Sequence, residues 1–475
     1  MSILKGDNIA FIKPYIDAHT LGLNSITELL RDCGYKVRLA DENISKAISN
    51  YKYDEYRRIV VNWIKESKIN VLGISYRLDP NEAINIVGYL MRELKDNNMF
   101  VFQGGSIKAV YFAGLPKACD LINKEYKGFV KTFTGGESAY ETLIKFGINN
   151  IPKEILEGCK YDEDRYQFGK KIIESQEYQD FKPVQRKTAY KEYGTAKDTL
   201  IKRLQYKDDL LPLIRAHVGP FSSSLNRIES VKEFLSWAKI LADTGYLDIL
   251  SIGTSQLTQS NFGENWKDMP NGGGVPINSA DEYKMVWEAS RPLLVRTYSG
   301  TKNTAQLAEI YENTINICWH ALSLWWFNRL DNRGPYDLYT NLSEHFKTIE
   351  YIAKTGKPLE PNVSHHFAFR GSDDVTYIVT AYLSAKMAKM LGIKTLVLQN
   401  MLNTPRVTWG IQDLAKSRAM LKLIRELEDA DFKVILQPRA GLDYFSPDLN
   451  KAKTQLASVT ALMDDIDCYD NRIYR

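Results

Sequence analysis

Cysteine is scarce in this sequence. Five cysteines are spread over 475 residues, and no two of them lie close together. An odd number at such spacings fits neither a disulfide framework nor the paired ligands of zinc and iron–sulfur sites. Because free thiols persist in a reducing compartment, we expect a cytoplasmic protein.

A strong net charge and a long apolar run are also missing. The 62 Lys and Arg residues nearly balance the 58 Asp and Glu residues, for a net charge of +4, so no cationic surface for a phosphate backbone stands out. No apolar run approaches the length of a membrane-spanning helix, and the N-terminus lacks the pattern of a signal peptide. We therefore expect no nucleic-acid partner, no membrane insertion and no export.

What the sequence has is a regular alternation of short apolar runs and helix-like segments. This alternation is typical of βαβ units and predicts an α/β domain over residues 1–147 with a doubly wound, flavodoxin-like parallel sheet. The stretch 148–208 is rich in polar residues and predicts a linker with some helix. The apolar runs of the first domain are NIAFI, YKVRLA, NVLGIS, MFVFQGG and FVKTF.

A second alternation begins at Leu211 and predicts a catalytic domain over residues 209–475. Seven β/α units in series favour a (β/α)8 or TIM barrel. The eighth strand is missing, because only the short polar segment CYDNRIYR follows the last helix. We expect either an unorthodox barrel or a partner chain that completes it. The seven runs are LPLIRAHVG, YLDILSIGT, PLLVRTYSG, INICWHALSLWW, LEPNVSHHF, KTLVLQNML and FKVILQPRAG.

The sharpest local motif has the pattern D-x-H-x-x-G and follows the first apolar run as Asp17, His19 and Gly22. A histidine at the carboxyl end of a first strand can reach a ligand in the crevice above the sheet. Asp17 can fix the tautomer of His19, and Gly22 would permit a tight turn and the close approach of a bulky ligand. An isolated loop histidine is usually an ordinary surface residue, so the context decides between the two interpretations.

Small residues follow the other predicted strands of this domain. We expect them to line the same sheet edge, where the tail of a long ligand can pass. This context favours a ligand for His19. The residues are Gly73-Ile74-Ser75 after the third run, Gln103-Gly104-Gly105 after the fourth, and Thr134-Gly135-Gly136-Glu137 after the fifth.

With these motifs, residues 5–147 resemble the cobalamin-binding domain shared by glutamate mutase, methylmalonyl-CoA mutase and methionine synthase. The resemblance implies that His19 is the lower axial ligand of cobalt and that Asp17 is its hydrogen-bond partner. It also implies that Ser75 contacts the displaced nucleotide base and that glycines contact the nucleotide tail. Those glycines are Gly104 and Gly105, with Gly135 and Gly136 on the same edge.

The second half of the chain resembles the catalytic subunit of glutamate mutase over about residues 211–465. Arg215 matches an arginine at the end of that family's first barrel strand, and Arg296 ends the run that matches its Arg-Pro strand. The resemblance implies that both guanidinium groups bind a substrate carboxylate, which a guanidinium can hold through two parallel hydrogen bonds. For either arginine, the alternative is a structural ion pair.

His365 and His366 follow the fifth barrel strand, at the edge where barrels carry their active sites. His366 is a candidate general acid or base, and packing is the alternative role for at least one of the two. The family's arginine after the second strand has no counterpart in residues 255–260, and its Glu-Gly-Gly-Gly element is only loosely represented by residues 328–336. We therefore expect a small carboxylated substrate other than glutamate.

Together, the resemblances imply an adenosylcobalamin-dependent carbon-skeleton mutase, which is a cobalt-containing radical isomerase. Its partners would be a small carboxylate substrate and further subunits, in an oligomer or hetero-oligomer that completes the barrel. The alternatives are a methylcobalamin-dependent methyltransferase and a non-catalytic corrinoid-binding protein. Against the first stands the missing set of zinc thiolates, and against the second stands a barrel with arginines at its strand ends.

Overall fold

A computed structural model gives the fold of the chain. It describes residues 3–17, 19–183, 190–207, 211–222, 224–267, 269, 271–404, 408, 410–441 and 445–467, apart from the side chains at positions 21 and 159. The described chain is an α/β protein in which all paired strands run parallel, so the α/β class of the prediction is confirmed. Among the described residues, no helix is both long enough and apolar enough to cross a bilayer.

Five parallel strands form the sheet of the N-terminal part, in the order β2-β1-β3-β4-β5. The order reverses between β1 and β3, and doubly wound sheets bind ligands above the carboxyl ends of the strands at such a point. This crevice is therefore where a ligand of the first domain is expected. The strands are β1 (Asn8–Ile12), β2 (Lys36–Leu39), β3 (Val71–Tyr76), β4 (Ala109–Gly114) and β5 (Val130–Phe133).

Helices cover both faces of this sheet, because successive residues of its strands point to opposite sides. Ala10 and Ile12 of β1 pack into one core cluster, whereas Ile9 and Phe11 pack into another. Two buried cores on one sheet are the signature of the three-layer arrangement that the alternation predicted. The helices are α1 (Leu21–Asp32), α2 (Glu42–Ser49), α3 (Asp54–Glu66), α4 (Pro80–Asp96), α5 (Pro116–Glu125) and α6 (Ala139–Lys145).

The predicted fourth strand, MFVFQGG, is wrong. Its centre forms a single 3-10 turn, Val101–Gln103, and β4 begins only later in the chain. Gly104 ends the turn with a φ of +89°, and Gly105 packs so closely that a Cβ atom there would lie 2.2 Å from the carbonyl of Met99. The turn therefore reverses the chain where the apolar pattern alone indicated a strand.

Seven parallel strands follow in the C-terminal part, one in each of the seven predicted runs. They form two ladders, β6-β7-β8 and β9-β10-β11-β12. No eighth strand is present among the residues that the structure describes, and closure into a barrel remains a prediction. The strands are β6 (Arg215–Val218), β7 (Ile249–Ile252), β8 (Leu294–Arg296), β9 (His320–Leu322), β10 (Leu359–Pro361), β11 (Thr395–Leu402) and β12 (Lys433–Ala440).

Contacts join the two ladders at both ends. The backbone N–H of Cys318, just before β9, donates to the carbonyl of Val295 in β8 at 2.8 Å. At the other end, Nη1 of Arg215 in β6 donates to Oε1 of Gln437 in β12 at 3.1 Å. The two ladders therefore share an interior, which is bordered by these contacts.

That interior is layered along the strands. Its floor is apolar and includes Ile249, Leu294, Trp319 and Val397. Because side chains alternate along a strand, the residues two positions further on also point inward. Three of these four residues are polar or charged, namely Ser251, Arg296 and Gln399, whereas Ala321 is apolar. They form a second layer towards the carboxyl ends, and the strand ends at this layer hold the candidate catalytic residues.

The stretch 148–208, expected to be a linker with some helix, packs on the C-terminal part. Its long helix α7 (Lys153–Ser175) lies on the last helix, α17 (Leu449–Met463), where a Cβ atom at Gly169 would lie 2.2 Å from the carbonyl of Thr454. Arg203 of helix α8 (Leu200–Tyr206) pairs with buried Asp198 at 2.7 Å. It also donates to the carbonyl of Asp248, at the amino end of β7, at 3.0 Å. This arrangement closes the floor of the interior.

The remaining helices alternate with the seven strands and lie outside them. They are α7 (Lys153–Ser175), α8 (Leu200–Tyr206), α9 (Arg227–Asp243), α10 (Gln256–Ser260), α11 (Ala280–Ala289), α12 (Thr304–Ile315), α13 (Leu338–Thr355), α14 (Ser364–Ala368), α15 (Asp374–Met390), α16 (Gly410–Arg425) and α17 (Leu449–Met463).

The aromatic cluster under the first sheet gives a test of this fold. Phe146 is 1% exposed and its ring centroid lies 4.4 Å from that of Tyr111 and 5.0 Å from that of Phe133. We expect Phe146→Ala to lower the free energy of unfolding by about 3–5 kcal/mol, because it leaves a cavity. Phe129, which is 56% exposed, is the control, and its replacement by Ala should cost about 0.5 kcal/mol or less. Equal losses in urea unfolding of the two variants would contradict the packing.

Candidate functional site

A buried carboxylate holds His19 at the carboxyl end of β1. Asp17 is fully buried, and its Oδ1 lies 2.8 Å from Nδ1 of His19, whose side chain is 48% exposed. The same oxygen accepts the backbone N–H of His19 at 2.9 Å, and Oδ2 accepts the backbone N–H of Arg77 at 2.8 Å. The carboxylate thus links the loop after β1 to the end of β3, across the point where the strand order reverses.

These hydrogen bonds fix both charge and tautomer. Burial raises the pKa of Asp17, but hydrogen bonds and the charge interaction with His19 outweigh it and hold the pKa below its usual range. An ionised Asp17 favours a proton on Nδ1 of His19, which leaves the lone pair on Nε2. Among the described residues, Nε2 has no hydrogen-bond partner. An imidazole held in this way by a carboxylate presents Nε2 to a ligand.

The C-terminal part of the chain lies directly against this histidine. Residues 271–274 form a loop beyond the carboxyl end of β7, with a φ of +89° at Gly273. A Cβ atom at position 273 would lie 3.4 Å from Cε1 of His19 and 4.0 Å from its Nε2. Glycine therefore allows the loop to approach the ring, and the carboxyl ends of strands from both halves meet around His19.

Ser75 and Gly135 also lie at this edge. Ser75 is buried near the end of β3, two residues before the amide that binds Asp17. Gly135 follows β5 with a φ of +87°, and a Cβ atom there would lie 3.6 Å from Nη1 of Arg77. Gly136 lies beside Pro447 of the C-terminal part, 2.8 Å from a Cβ atom at position 136. The structure thus brings these three predicted residues to the carboxyl edge.

Gly22 is in the first turn of α1, so the tight turn predicted for it is wrong. No atom lies within 4 Å of where its Cβ would be. The open space is consistent with the other part of the prediction, the close approach of a ligand.

Gly104 and Gly105 lie at the opposite end of the sheet, and their assignment to the ligand edge is wrong. They precede β4, and the neighbouring Lys108 N–H donates to the carbonyl of Asn70, just before β3, at 2.7 Å. The glycine at the carboxyl end of β4 is Gly114, where a Cβ atom would lie 2.7 Å from the carbonyl of Tyr76. The sequence signal for a strand that ends at Gly114 was the run AVYFAG, which a proline follows closely.

In the interior of the C-terminal part, Glu360 of β10 is the centre of a buried polar network. Its Oε2 accepts hydrogen bonds from Nε and Nη2 of Arg296 at 3.0 and 2.7 Å and from the indole N–H of Trp319 at 2.5 Å. Glu360 and Arg296 are both fully buried. Burial raises the pKa of Glu360, but the charges of Arg296 and then Arg215 outweigh this effect and hold the pKa below its usual value. The carboxylate is therefore charged.

Two more arginines approach the same carboxylate. Nη1 of Arg215 lies 3.9 Å from Oε1 of Glu360. Gln399, with its amide oriented to satisfy its neighbours, donates to Oε1 of Glu360 at 3.3 Å and accepts from Nη1 of Arg439 at 3.0 Å. Burial, together with Arg296, lowers the pKa of Arg215 to about 10. Glu360 therefore pairs with Arg296 and Arg215 directly and is linked to Arg439 through Gln399.

The candidate arginines thus differ in what they offer to a substrate. The fork of Arg296 is engaged by Glu360, which is the ion pair that the sequence left open as its alternative role. Arg215 makes one hydrogen bond, to Gln437, among the described residues. Its other donors are free for a carboxylate.

His365 and His366 lie above this layer, in the short helix α14, with ring centroids 4.3 Å apart. Both are buried. Burial lowers the pKa of each ring well below its usual range, aided by Arg439 for His365 and by His365 for His366. Both rings are therefore neutral near pH 7, and because a lowered pKa makes each ring a weak base, His366 is equipped to accept a hydrogen bond.

Tyr298 and Glu360 are the site residues that the sequence did not single out as catalytic. The ring of Tyr298 lies 4.1 Å under the guanidinium of Arg296 and 5.8 Å from the ring of His217. Burial raises its pKa, but Arg296 and Arg439 outweigh this and lower it to about 8. The signal for Tyr298 was its position two residues after Arg296, on the same face of the chain.

Comparison with known proteins adds little to this geometry. No family model and no curated protein matches the chain. A solved structure of apo, SeMet-labelled OxsB, named as a cobalamin-dependent S-adenosylmethionine radical enzyme, matches with a TM-score of 0.24 and 10% identity, covering 89% of this chain and 55% of that one. OxsB with aqua-cobalamin and S-adenosylmethionine bound matches with a TM-score of 0.25 and 11% identity, covering 97% of this chain and 55% of that one. The chain spans about half the length of OxsB, and so low a score carries no argument about function.

The cationic surroundings of Tyr298 can be tested by titration. Since its pKa is lowered to about 8, we expect a phenolate absorbance step with a midpoint near this pH, and Tyr298→Phe should remove it. Tyr311, whose pKa burial raises, is the control, because Tyr311→Phe should leave the step in place. If the wild-type protein showed no phenolate step below the ordinary tyrosine pKa of about 10, the interior would be less cationic than described.

Proposed function

We propose that this protein is a cobalamin-dependent radical enzyme, an adenosylcobalamin-dependent carbon-skeleton mutase that acts on a small carboxylated substrate other than glutamate. The observation that carries the proposal is the placement of the Asp17–His19 pair. It lies at the carboxyl edge of a doubly wound sheet and against a loop of the C-terminal part. The interior of that part holds arginines at its strand ends, and of these Arg296 is fully buried.

The residues at this edge fit a cobalamin. Nε2 of His19 bears the free lone pair, and Asp17 supplies the second hydrogen bond that ligating histidines require. Clusters of three or more His, Cys, Asp or Glu suited to a metal ion do not occur in the described part of the chain. A corrin would bring the other ligands of its cobalt with it, so one histidine from the protein would suffice. Ser75, Gly135 and Gly136 would line the path of the nucleotide tail.

The arginine layer would bind and orient the substrate. Arg215 would hold a carboxylate through its free donors, while the Arg296–Glu360 pair keeps the layer rigid. The apolar floor beneath it excludes water, which strengthens these charge interactions. His366, neutral near pH 7, would accept a hydrogen bond from the substrate. When bound, the cofactor supplies the cleavable cobalt–carbon bond and hence the radical chemistry.

A further subunit would complete the barrel in this proposal. Residues of β11 are almost all buried, whereas most of β12 is only half-buried and its outer edge has no ladder partner among the described residues. On the other side of the gap, β6 is also only partly buried. Unpaired parallel edges are usually covered in native proteins. An oligomer or hetero-oligomer that contributes a strand would cover both edges. In this proposal the assembly is located in the cytoplasm.

Cobalt ligation by His19 is tested with aquacobalamin and the full chain. We expect His19→Ala to abolish the absorption spectrum of a histidine-ligated corrinoid, and Asp17→Asn to weaken binding about 10–100-fold through loss of the supporting hydrogen bond. Thr20→Ala is the matched control, because the Thr20 side chain makes no capping hydrogen bond to α1. A His19→Ala protein that kept the histidine-ligated spectrum would refute the assignment.

The reaction class is tested by anaerobic electron paramagnetic resonance. With adenosylcobalamin and candidate carboxylates, we expect an organic-radical signal that Arg215→Gln strongly reduces, since substrate would no longer be held. With methylcobalamin, demethylation in the presence of an acceptor would support a methyltransferase instead. Corrinoid binding without either response would indicate a carrier protein.

A further inference from the structure

The interior of the C-terminal part carries more positive than negative charge, and this excess narrows the class of substrate that it can bind. Arg215, Arg296 and Arg439 contribute three positive charges. Among the described residues, Glu360 pairs with Arg296 and Arg215, whereas Arg439 reaches it only through Gln399. One carboxylate among the described residues therefore faces three cations. Charges shielded from water are costly unless they are paired, and since the Arg215 side chain is 11% exposed and Arg439 is half-buried, this layer favours the uptake of negative charge.

The donors left over are on two of the three arginines. Arg296 directs Nε and Nη2 at Glu360 and Nη1 at the hydroxyl of Ser251 at 3.3 Å. Arg215 and Arg439 each make one hydrogen bond to a glutamine among the described residues, to Gln437 and Gln399. A guanidinium has five N–H donors, so each of these two arginines can still hold a carboxylate. Two guanidinium forks match two carboxylates.

Among the described residues, the carboxylates near this layer are already engaged, so none of them is left for an ammonium group. Oε2 of Glu360 already accepts from Arg296 and Trp319, and Oε1 accepts from Gln399. Asp331, the carboxylate of the neighbouring loop, pairs with Arg370 at 3.2 Å. His365 and His366 nearby are surrounded by arginines, which repel a cation. An amino group on the substrate would therefore be unpaired and unfavourable.

We infer that the substrate is a dicarboxylate without an amino group, whose two carboxylates are held by Arg215 and Arg439, with the Arg296–Glu360 pair as their support. This inference rests on the proposed function and narrows its substrate class. It gives Arg439 a direct binding role and makes Arg296 a positioning residue. Loss of either Arg215 or Arg439 should weaken dicarboxylate binding, whereas a monocarboxylate can satisfy only one of the two.

The test is calorimetric titration of the full chain without cobalamin, using succinate, butyrate, L-aspartate and inorganic phosphate. These compare two carboxylates with one, with an added amino group, and with a different oxyanion. We expect succinate to bind at least about tenfold more tightly than each of the others, since one charge-assisted hydrogen bond contributes at least that factor. Equal affinity for butyrate or phosphate, or tighter binding of aspartate, would overturn the inference.

Variants locate the site. Arg215→Gln and Arg439→Gln should each weaken succinate binding about 10–100-fold, and Arg215→Lys should restore only part of it, because lysine lacks the fork. Arg418→Gln, which removes an exposed cation on the outer helix α16, should leave binding unchanged. Arg439 is only half-buried, so its variant tests the inference even where Arg215→Gln does not fold. Unchanged succinate affinity in a folded Arg439→Gln protein would overturn it.

Succinate binding is measured without cobalamin, so its result is independent of the test of His19. Succinate binding that fails while His19→Ala abolishes the corrinoid spectrum would reject the dicarboxylate and leave the proposed function standing. Succinate binding that holds while His19→Ala has no spectral effect would reject the cobalt ligand instead.

Discussion

The buried charge of Glu360 is the constraint on which the C-terminal interior depends. A carboxylate without exposure to water is strongly unfavourable unless its oxygens are satisfied, and here Arg296, Trp319 and Gln399 satisfy them. These partners come from three different strand regions, so the pairing fixes how the strands are arranged around the interior. Removing one partner of such a pair typically costs about 3–5 kcal/mol, because the other charge is left buried and unpaired. The network also holds Arg215 and Arg439 beside it with donors to spare.

The N-terminal part uses a buried carboxylate in the same way but for a different purpose. Asp17 joins the loop after β1 to the end of β3 and orients an imidazole whose other nitrogen is left free. In the interior, the acid organises cations, whereas here it organises one imidazole. The glycine loop at residues 271–274 lies between His19 and the carboxyl end of β7. Polar groups from both halves of the chain therefore lie at the carboxyl ends of parallel strands, where α/β proteins bind ligands.

The alternation of apolar runs predicted four of the five strands of the first sheet and all seven that follow, because a strand's burial is recorded in its own residues. The fourth run failed because a positive φ at Gly104 turned it into a 3-10 segment. Its misplacement put two glycines at the wrong end of the sheet. The D-x-H-x-x-G motif predicted the hydrogen bond between Asp17 and His19, since two residues in one loop are near each other in any fold. The helical backbone at Gly22 was not predicted, because the pattern does not say where α1 begins.

By itself, the sequence determined what depends on neighbours along the chain: the α/β class, the strand runs, and the Asp17–His19 pair. The tertiary structure decided what depends on partners far apart in sequence. Arg296 and Glu360 are 64 positions apart, and no local pattern shows that the guanidinium faces a carboxylate of its own chain rather than a substrate. Likewise, only strand order and register place Arg439 near Arg215. A buried charge selects its partner by distance in space, and that distance is set by the fold.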